Sequence, residues 1–269
     1  MVCRAMLPGE KNDLDFSAEQ GWPDDPRSQK RYYYERSWLR KLARLVVIGS
    51  SPVWLTVKTR GLEHVPAQGG VILASNHLSN WDVIVLEFAL PRYPLWMAKE
   101  AAFTNRFNDW FIRTLGGFEV RRGQGDQWAM RFAQHVVEQG GLMALFPEGT
   151  RSKDGQLKAA KSGPARLALT TGCPILPVAL WGSQQIMKPV YRHSVGWVGF
   201  ARPIYPQAGD TVESLTEQMM YSIASMLPAQ ARGVYAHPPK AYAHLFLENE
   251  PLGEDNGRYR VTRFAAAAG

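Results

Sequence analysis

With 269 residues, 45% of them hydrophobic and 20% charged, the chain has enough apolar material for one large α/β domain with modest appendages. A formal net charge of +7 points to an acidic partner, whether nucleic acid, anionic lipid or a phosphorylated small molecule. Cys3 and Cys173 stand far apart without CxxC or Cys/His spacing, which argues against a disulfide scaffold or a structural zinc site and suits a reduced, cytosolic setting.

Residues 1–27 are acidic and marked by Pro and Gly, and are expected to be a flexible segment. They lack the basic-then-apolar pattern of a signal peptide. The charge then inverts, because between Arg27 and Arg60 nine Lys/Arg stand against Glu35 alone. Tyr32, Tyr33, Tyr34, Trp38 and Trp54 interleave with these cations, a pattern suited to a membrane interface. Helical periodicity over Ser28–Ile48 puts Trp38, Leu39, Leu42, Leu45 and Val46 on one face, so residues 28–58 read as a docking segment. The uncharged run Leu45–Val57, broken by Gly49-Ser50-Ser51-Pro52, falls short of the roughly 20 apolar residues that cross a bilayer.

From residue 59 to 228, apolar strand-like runs alternate with helical stretches. Strands are predicted at Trp54–Arg60, Val71–Ser75, Leu95–Ala98, Phe118–Arg121, Leu142–Phe146, Ile175–Leu180 and Gly196–Ile204. Helices are predicted at Trp81–Leu90, Asn105–Leu115, Gln127–Glu138, Gly163–Thr170 and Val212–Leu227. Such alternation predicts an α/β fold with a mostly parallel central sheet flanked by helices. Residues 229–269 have no clear period and are left as an extension of unknown role.

Two loops carry the chemistry. Asn76-His77-Leu78-Ser79-Asn80-Trp81-Asp82 follows the strand at Val71–Ser75, at the carboxyl edge where open α/β sheets bind ligands. Asp82, in the first turn of the next helix, is placed to hold one imidazole nitrogen of His77 and leave the other as a base. Spacing alone also fits a capping Asp82 beside a turn histidine. Phe146-Pro147-Glu148-Gly149-Thr150-Arg151-Ser152 ends another buried strand at the same edge. Gly149 permits close backbone approach, and Arg151 offers a planar fork matched to phosphate. Lys99 and Arg121-Arg122 also fall at strand ends. Together these residues suggest an enzyme that activates a hydroxyl on a phosphorylated substrate. No GxSxG elbow, GxxxxGK[ST] loop, strand-linked GxGxxG, HExxH cluster or nucleic-acid module is present.

At these residues the chain resembles the glycerolipid acyltransferases of phospholipid synthesis, especially the 1-acyl-sn-glycerol-3-phosphate acyltransferases. The NHxxxxD block matches Asn76-His77 to Asp82, and FPEGTRS matches Phe146–Ser152 throughout. A second block corresponds to Lys99 with Gly116-Gly117-Phe118-Glu119-Val120-Arg121-Arg122, and a fourth to Ile175-Leu176-Pro177-Val178-Ala179. Many relatives carry Asp where this chain has Arg121, so the family arginine is assigned to Arg122. The four blocks stand in the family's order and the resemblance covers about residues 60–205.

The resemblance implies direct acyl transfer from acyl-CoA or acyl carrier protein to the hydroxyl of lysophosphatidic acid, giving phosphatidic acid. His77 is then the general base and Asp82 its orienting acid. Lys99, Arg122, Glu148 and Arg151 position the phosphate, with Gly149, Thr150 or neighbouring amides at phosphate or oxyanion. No cofactor or metal is implied beyond the thioester co-substrate, and no nucleic acid. The expected location is peripheral, on the cytoplasmic face of an anionic membrane. Other acceptors (a lysophospholipid, a glycolipid, glycerol 3-phosphate) and a non-catalytic lipid-binding role remain open on sequence alone.

Overall fold

The structure, a computed structural model, describes residues 13–14, 25–29, 32–33, 40, 42, 45–46, 49 and 54–261, except 122, 124, 189–192, 255–256 and 258. Most of the expected helix over Ser28–Ile48, and Arg122, fall outside the described residues.

Eight strands form one sheet: β1 Leu55–Arg60, β2 Val71–Ser75, β3 Pro94–Lys99, β4 Gly117–Val120, β5 Leu142–Leu145, β6 Ile175–Trp181, β7 Ser194–Phe200 and β8 Arg260–Val261. Their spatial order is β8-β1-β7-β6-β2-β5-β3-β4. Strands β6, β2, β5, β3 and β4 run parallel to one another. Their central members, β2 and β5, are buried at every position, which is why they read as unbroken apolar runs.

The expected mostly parallel sheet is in fact mixed. Strand β7 lies antiparallel to β6, and β8 antiparallel to β1. The physical reason is the connection: β6 and β7 are joined without a crossover helix, and a parallel return needs one. Strand β7 also ends at Phe200, before the predicted limit at Ile204. Ile204 makes only an isolated antiparallel bridge to Ile175.

The helices are α1 Trp81–Ala89, α2 Arg106–Thr114, α3 Gln127–Glu138, α4 Gly163–Thr171, α5 Val212–Met226 and α6 Ala243–Glu248. Two apolar layers result. Phe118, Trp128, Phe132, Ile175, Met219 and Ile223 belong to one, and Leu73, Leu86, Leu90, Trp96, Leu176 and Val198 to the other.

Two ion pairs bind the N-terminal residues to this frame. Buried Arg27 joins Asp25 at 2.6 Å and Asp126, the N-cap residue of α3, at 2.5 Å. Buried Arg40 forms a bidentate pair with Glu87 of α1 at 2.9 and 2.8 Å and donates to Pro94 O at 2.7 Å. Gly116, at φ +81°, has to be glycine: a Cβ there would lie 2.6 Å from Arg40 Nη1 and 2.8 Å from Pro94 O. Cys173 is buried just before β6.

Candidate active site

Asn76, the first residue past β2, uses its amide as a surrogate peptide group. Its Nδ2 donates to Leu180 O at 3.0 Å and its Oδ1 accepts the Leu180 N–H at 2.7 Å. This clamp fixes the exit of β2 against β6. The chain then turns out of the sheet, and His77 is presented at the edge with its side chain 13% exposed.

His77 Nδ1 lies 2.7 Å from Asp82 Oδ2. The same oxygen accepts the N–H groups of Leu78 at 2.6 Å and Ser79 at 2.9 Å. The other, Oδ1, accepts the hydroxyl of Ser183, with Ser79 Oγ at 3.5 Å. Acceptor roles on both oxygens make Nδ1 the donor, so Nε2 carries the lone pair. Asp82, fully buried in the first turn of α1, therefore orients the imidazole and also gathers the amides before the helix. The residue directly before the helix is Asn80, and Ser79 contributes by accepting the Trp81 N–H at 3.0 Å. Phe146 stacks on the imidazole, with centroids 4.0 Å apart and planes at 14°, which holds its tilt.

The second loop is bound to the first by two hydrogen bonds. His77 N–H donates to Glu148 Oε1 at 3.0 Å, and Ser152 N–H donates to His77 O at 2.7 Å. Glu148 Oε2 accepts from Lys158 N at 3.2 Å. Both Glu148 oxygens are thus engaged by main chain, in the manner of a brace. Sequence reasoning grouped Glu148 with the ligand-binding side chains because spacing does not reveal which way a turn carboxylate faces.

Burial pushes the Glu148 carboxyl above the usual carboxylate range, with the His77 and Lys158 amides pulling the other way. A pKa raised in the folded state means that the stability this group contributes is full below its unfolded value and is lost as pH rises through the folded value. Glu148→Gln, which cannot ionise, should therefore gain on wild type as pH is raised from about 4 to about 8. Thermal unfolding across that range checks this; a gap between the two proteins that stays constant with pH would contradict it.

Gly149 sits at φ +72°, and a Cβ there would meet Lys161 Cε at 2.9 Å. Glycine is thus favoured by the left-handed backbone, since the flexible end of the lysine could move aside. Lys99 ends β3, and Arg151 follows the Gly149 turn; both are exposed.

A cavity of about 380 Å³ opens at this edge. His77, Lys99 and Arg151 line its polar side, and Val83, Trp96, Ile112 and Leu115 its apolar side. A neighbouring cavity of about 350 Å³ shares Met97 and Phe146 with it and is lined by Gly149, Arg121, Lys161 and Arg166. The structure therefore brings together His77, Asp82, Lys99 and Arg151, with Glu148 behind them and Gly149 next door. Thr150 is exposed and lines neither cavity. Arg121 is held by Glu100 at 3.0 Å. Among the described residues no group of three or more His, Cys, Asp or Glu is disposed to hold a metal ion.

Residues 56–181 match the sequence profile of the family described as Acyltransferase, and this stretch contains both loops. It is a domain of the acyltransferase family. A chloroplastic 1-acyl-sn-glycerol-3-phosphate acyltransferase of Brassica napus is 28% identical over 186 residues, covering 66% of this chain and 53% of the relative. The 1-acyl-sn-glycerol-3-phosphate acyltransferase of Bacillus subtilis is 31% identical over 129 residues, covering 47% and 63%. The chain spans about half the length of the first of these curated relatives. Among solved structures, the 1-acyl-sn-glycerophosphate acyltransferase of Thermotoga maritima superposes with a TM-score of 0.56 at 26% identity, over 70% of this chain and 80% of that one.

Ser183 was missed by sequence reasoning. It lies in the 3₁₀ turn Ser183–Gln185, just after β6 and past the end of the acyltransferase domain's matched stretch, and is fully buried against Asp82. No local pattern marks it, because its partner is 101 positions away.

Proposed function

We propose that the domain moves a fatty acyl group from acyl-CoA or acyl carrier protein to the free hydroxyl of 1-acylglycerol 3-phosphate, giving phosphatidic acid. The observation that carries this reading is one cavity in which His77, tied to Asp82, stands beside Lys99 and Arg151 and faces an apolar wall. An amphiphile with a phosphate and a chain meets all three of those surfaces.

In the reaction, Nε2 of His77 takes the acceptor's hydroxyl proton as that oxygen attacks the thioester carbonyl. The new C–O bond forms, the C–S bond breaks, and the imidazolium returns the proton to the departing thiolate. The acceptor oxygen is itself the nucleophile, so no acyl-enzyme is needed. Lys99 and Arg151 hold the phosphate, joined by Arg122, and Trp96, Ile112 and Leu115 receive the start of the chain. Glu148 positions His77 through its main chain, while the Gly149 N–H is already given to Phe146 O within the turn that presents Arg151. The enzyme lies peripherally on the cytoplasmic face of an anionic membrane. In support, the net charge is +7 and, among the described residues, no helix is long and apolar enough to cross a membrane.

The test compares initial rates with lysophosphatidic acid, glycerol 3-phosphate and lysophosphatidylcholine for wild type, Lys99→Ala and Arg151→Ala. Each substitution removes a charge-assisted contact of about 1.5–3 kcal/mol, so the KM for lysophosphatidic acid should rise about 10- to 100-fold while the donor KM stays put. Equal use of lysophosphatidylcholine, whose phosphate is capped by choline, or an unmoved acceptor KM in both variants would contradict the assignment.

A further inference from the structure

Helix α2 (Arg106–Thr114) divides its side chains in an unusual way. Its inner face carries Ile112, which with Leu115 lines the His77 cavity. Arg113, paired with Asp109 one turn back at 2.9 Å, ties the helix to β4 through buried Glu119. Its outer face carries Phe107, Trp110 and Phe111, which are 67%, 47% and 44% exposed. These rings contact one another: Phe107 lies 5.9 Å from Trp110 and stacks on Phe111 at 6.2 Å, centroid to centroid. Three large aromatics held together at the surface, on a helix tied to the sheet by the Arg113–Glu119 pair, form a patch that gains from leaving water.

The charges around the patch identify what covers it. Among the described residues, the acids flanking the helix in sequence are paired, Asp109 with Arg113 and Glu100 with Arg121. Lys99 and Arg106 are exposed and make no ion pair among the described residues. Among the described residues that flank the helix in sequence, the uncompensated charge is therefore positive. Arg40 packs against Gly116, two residues past the helix end, and within six residues of it the chain exposes Leu42, Leu45 and Val46 as well.

We infer that the outer face of α2 docks the protein on an anionic lipid surface, with Phe107, Trp110 and Phe111 entering the boundary between headgroups and acyl chains. Amphipathic aromatic rings favour that depth, and the flanking cations meet the phosphates above it. Because the same helix forms a wall of the His77 cavity, docking sets the cavity beside the lipid, and an amphiphilic acceptor passes in without crossing open water. This second point rests on the acyl-transfer reading; the docking itself does not.

The test is flotation of the full chain with vesicles of equimolar phosphatidylglycerol and phosphatidylcholine, without any acyl donor. Wild type should bind, and the triple variant Phe107→Ser, Trp110→Ser, Phe111→Ser should lose binding at least about 10-fold, since each ring contributes burial of its apolar area. Its thermal unfolding should match wild type because the three side chains are exposed; should the triple variant fail to fold, the single change Phe107→Asp gives the same reading. Turnover of a short-chain, water-soluble acceptor should stay within about twofold of wild type while turnover of vesicle-borne acceptor falls with binding. Unchanged vesicle binding in a folded variant overturns the inference. So does a wild type that forms dimers which the triple variant does not, for then a second copy covers the face.

Discussion

Replacing His77 by Ala should lower kcat by about 100- to 10,000-fold, the range for removal of a positioned general base. The imidazole is placed by three independent constraints: Asp82 on Nδ1, Glu148 on its backbone N–H, and Phe146 on its ring face. Removing the ring leaves the first and third without an object but breaks none of the backbone links, so the fold should persist. Acceptor KM should change little, because Lys99 and Arg151 are untouched. Single-turnover measurement of thiol release separates the chemical step from product departure. A His77→Ala enzyme whose chemical step keeps the wild-type rate would exclude His77 as the base.

Asp82 provides the second large effect, with an internal control. Asp82→Ala strips the acceptor from His77 Nδ1, from the amides of Leu78 and Ser79 and from the Ser183 hydroxyl. Each buried donor left unpaired costs about 1–3 kcal/mol, and loss of orientation should cut kcat by about 100- to 10,000-fold. Asp82→Asn should be milder. Three N–H donors converge on the Oδ2 position, so the asparagine oxygen belongs there and its NH₂ turns to Ser183 Oγ, which can accept. The imidazole then keeps its tautomer but loses a full negative charge beside it, a difference of roughly 1–1.5 kcal/mol or about tenfold in kcat. Ser183→Ala should resemble the asparagine variant. Steady-state kinetics with parallel unfolding curves decides the order; an Asn variant as impaired as Ala would mean that geometry at Oδ2 is not what directs His77.

Much of this site was legible because its residues fall within two short loops, and because β2 and β5 before them are buried on both sides and read as continuous apolar runs. A motif at the end of such a strand has a defined place, the carboxyl edge of the sheet. Strand direction was less legible. The pattern of β7 does not say which way it runs, and only the missing helix between it and β6 hints at the reversal. Strand β8, two exposed residues at Arg260–Val261, has no sequence signature. Glu148 and Ser183 show the remaining gap. Composition and spacing name a carboxylate and a hydroxyl, but whether each faces ligand or another part of the protein depends on partners ten or a hundred positions away, the Lys158 N–H for Glu148 and the Asp82 carboxylate for Ser183.

The most direct measurement is thiol release from oleoyl-CoA and from an acyl carrier protein thioester by wild type, with and without lysophosphatidic acid, with the lipid product identified by mass. Release that requires the acceptor and yields phosphatidic acid in equal amount is the predicted result. Release that proceeds equally without acceptor, or no release from either donor, would contradict acyl transfer at the His77 cavity.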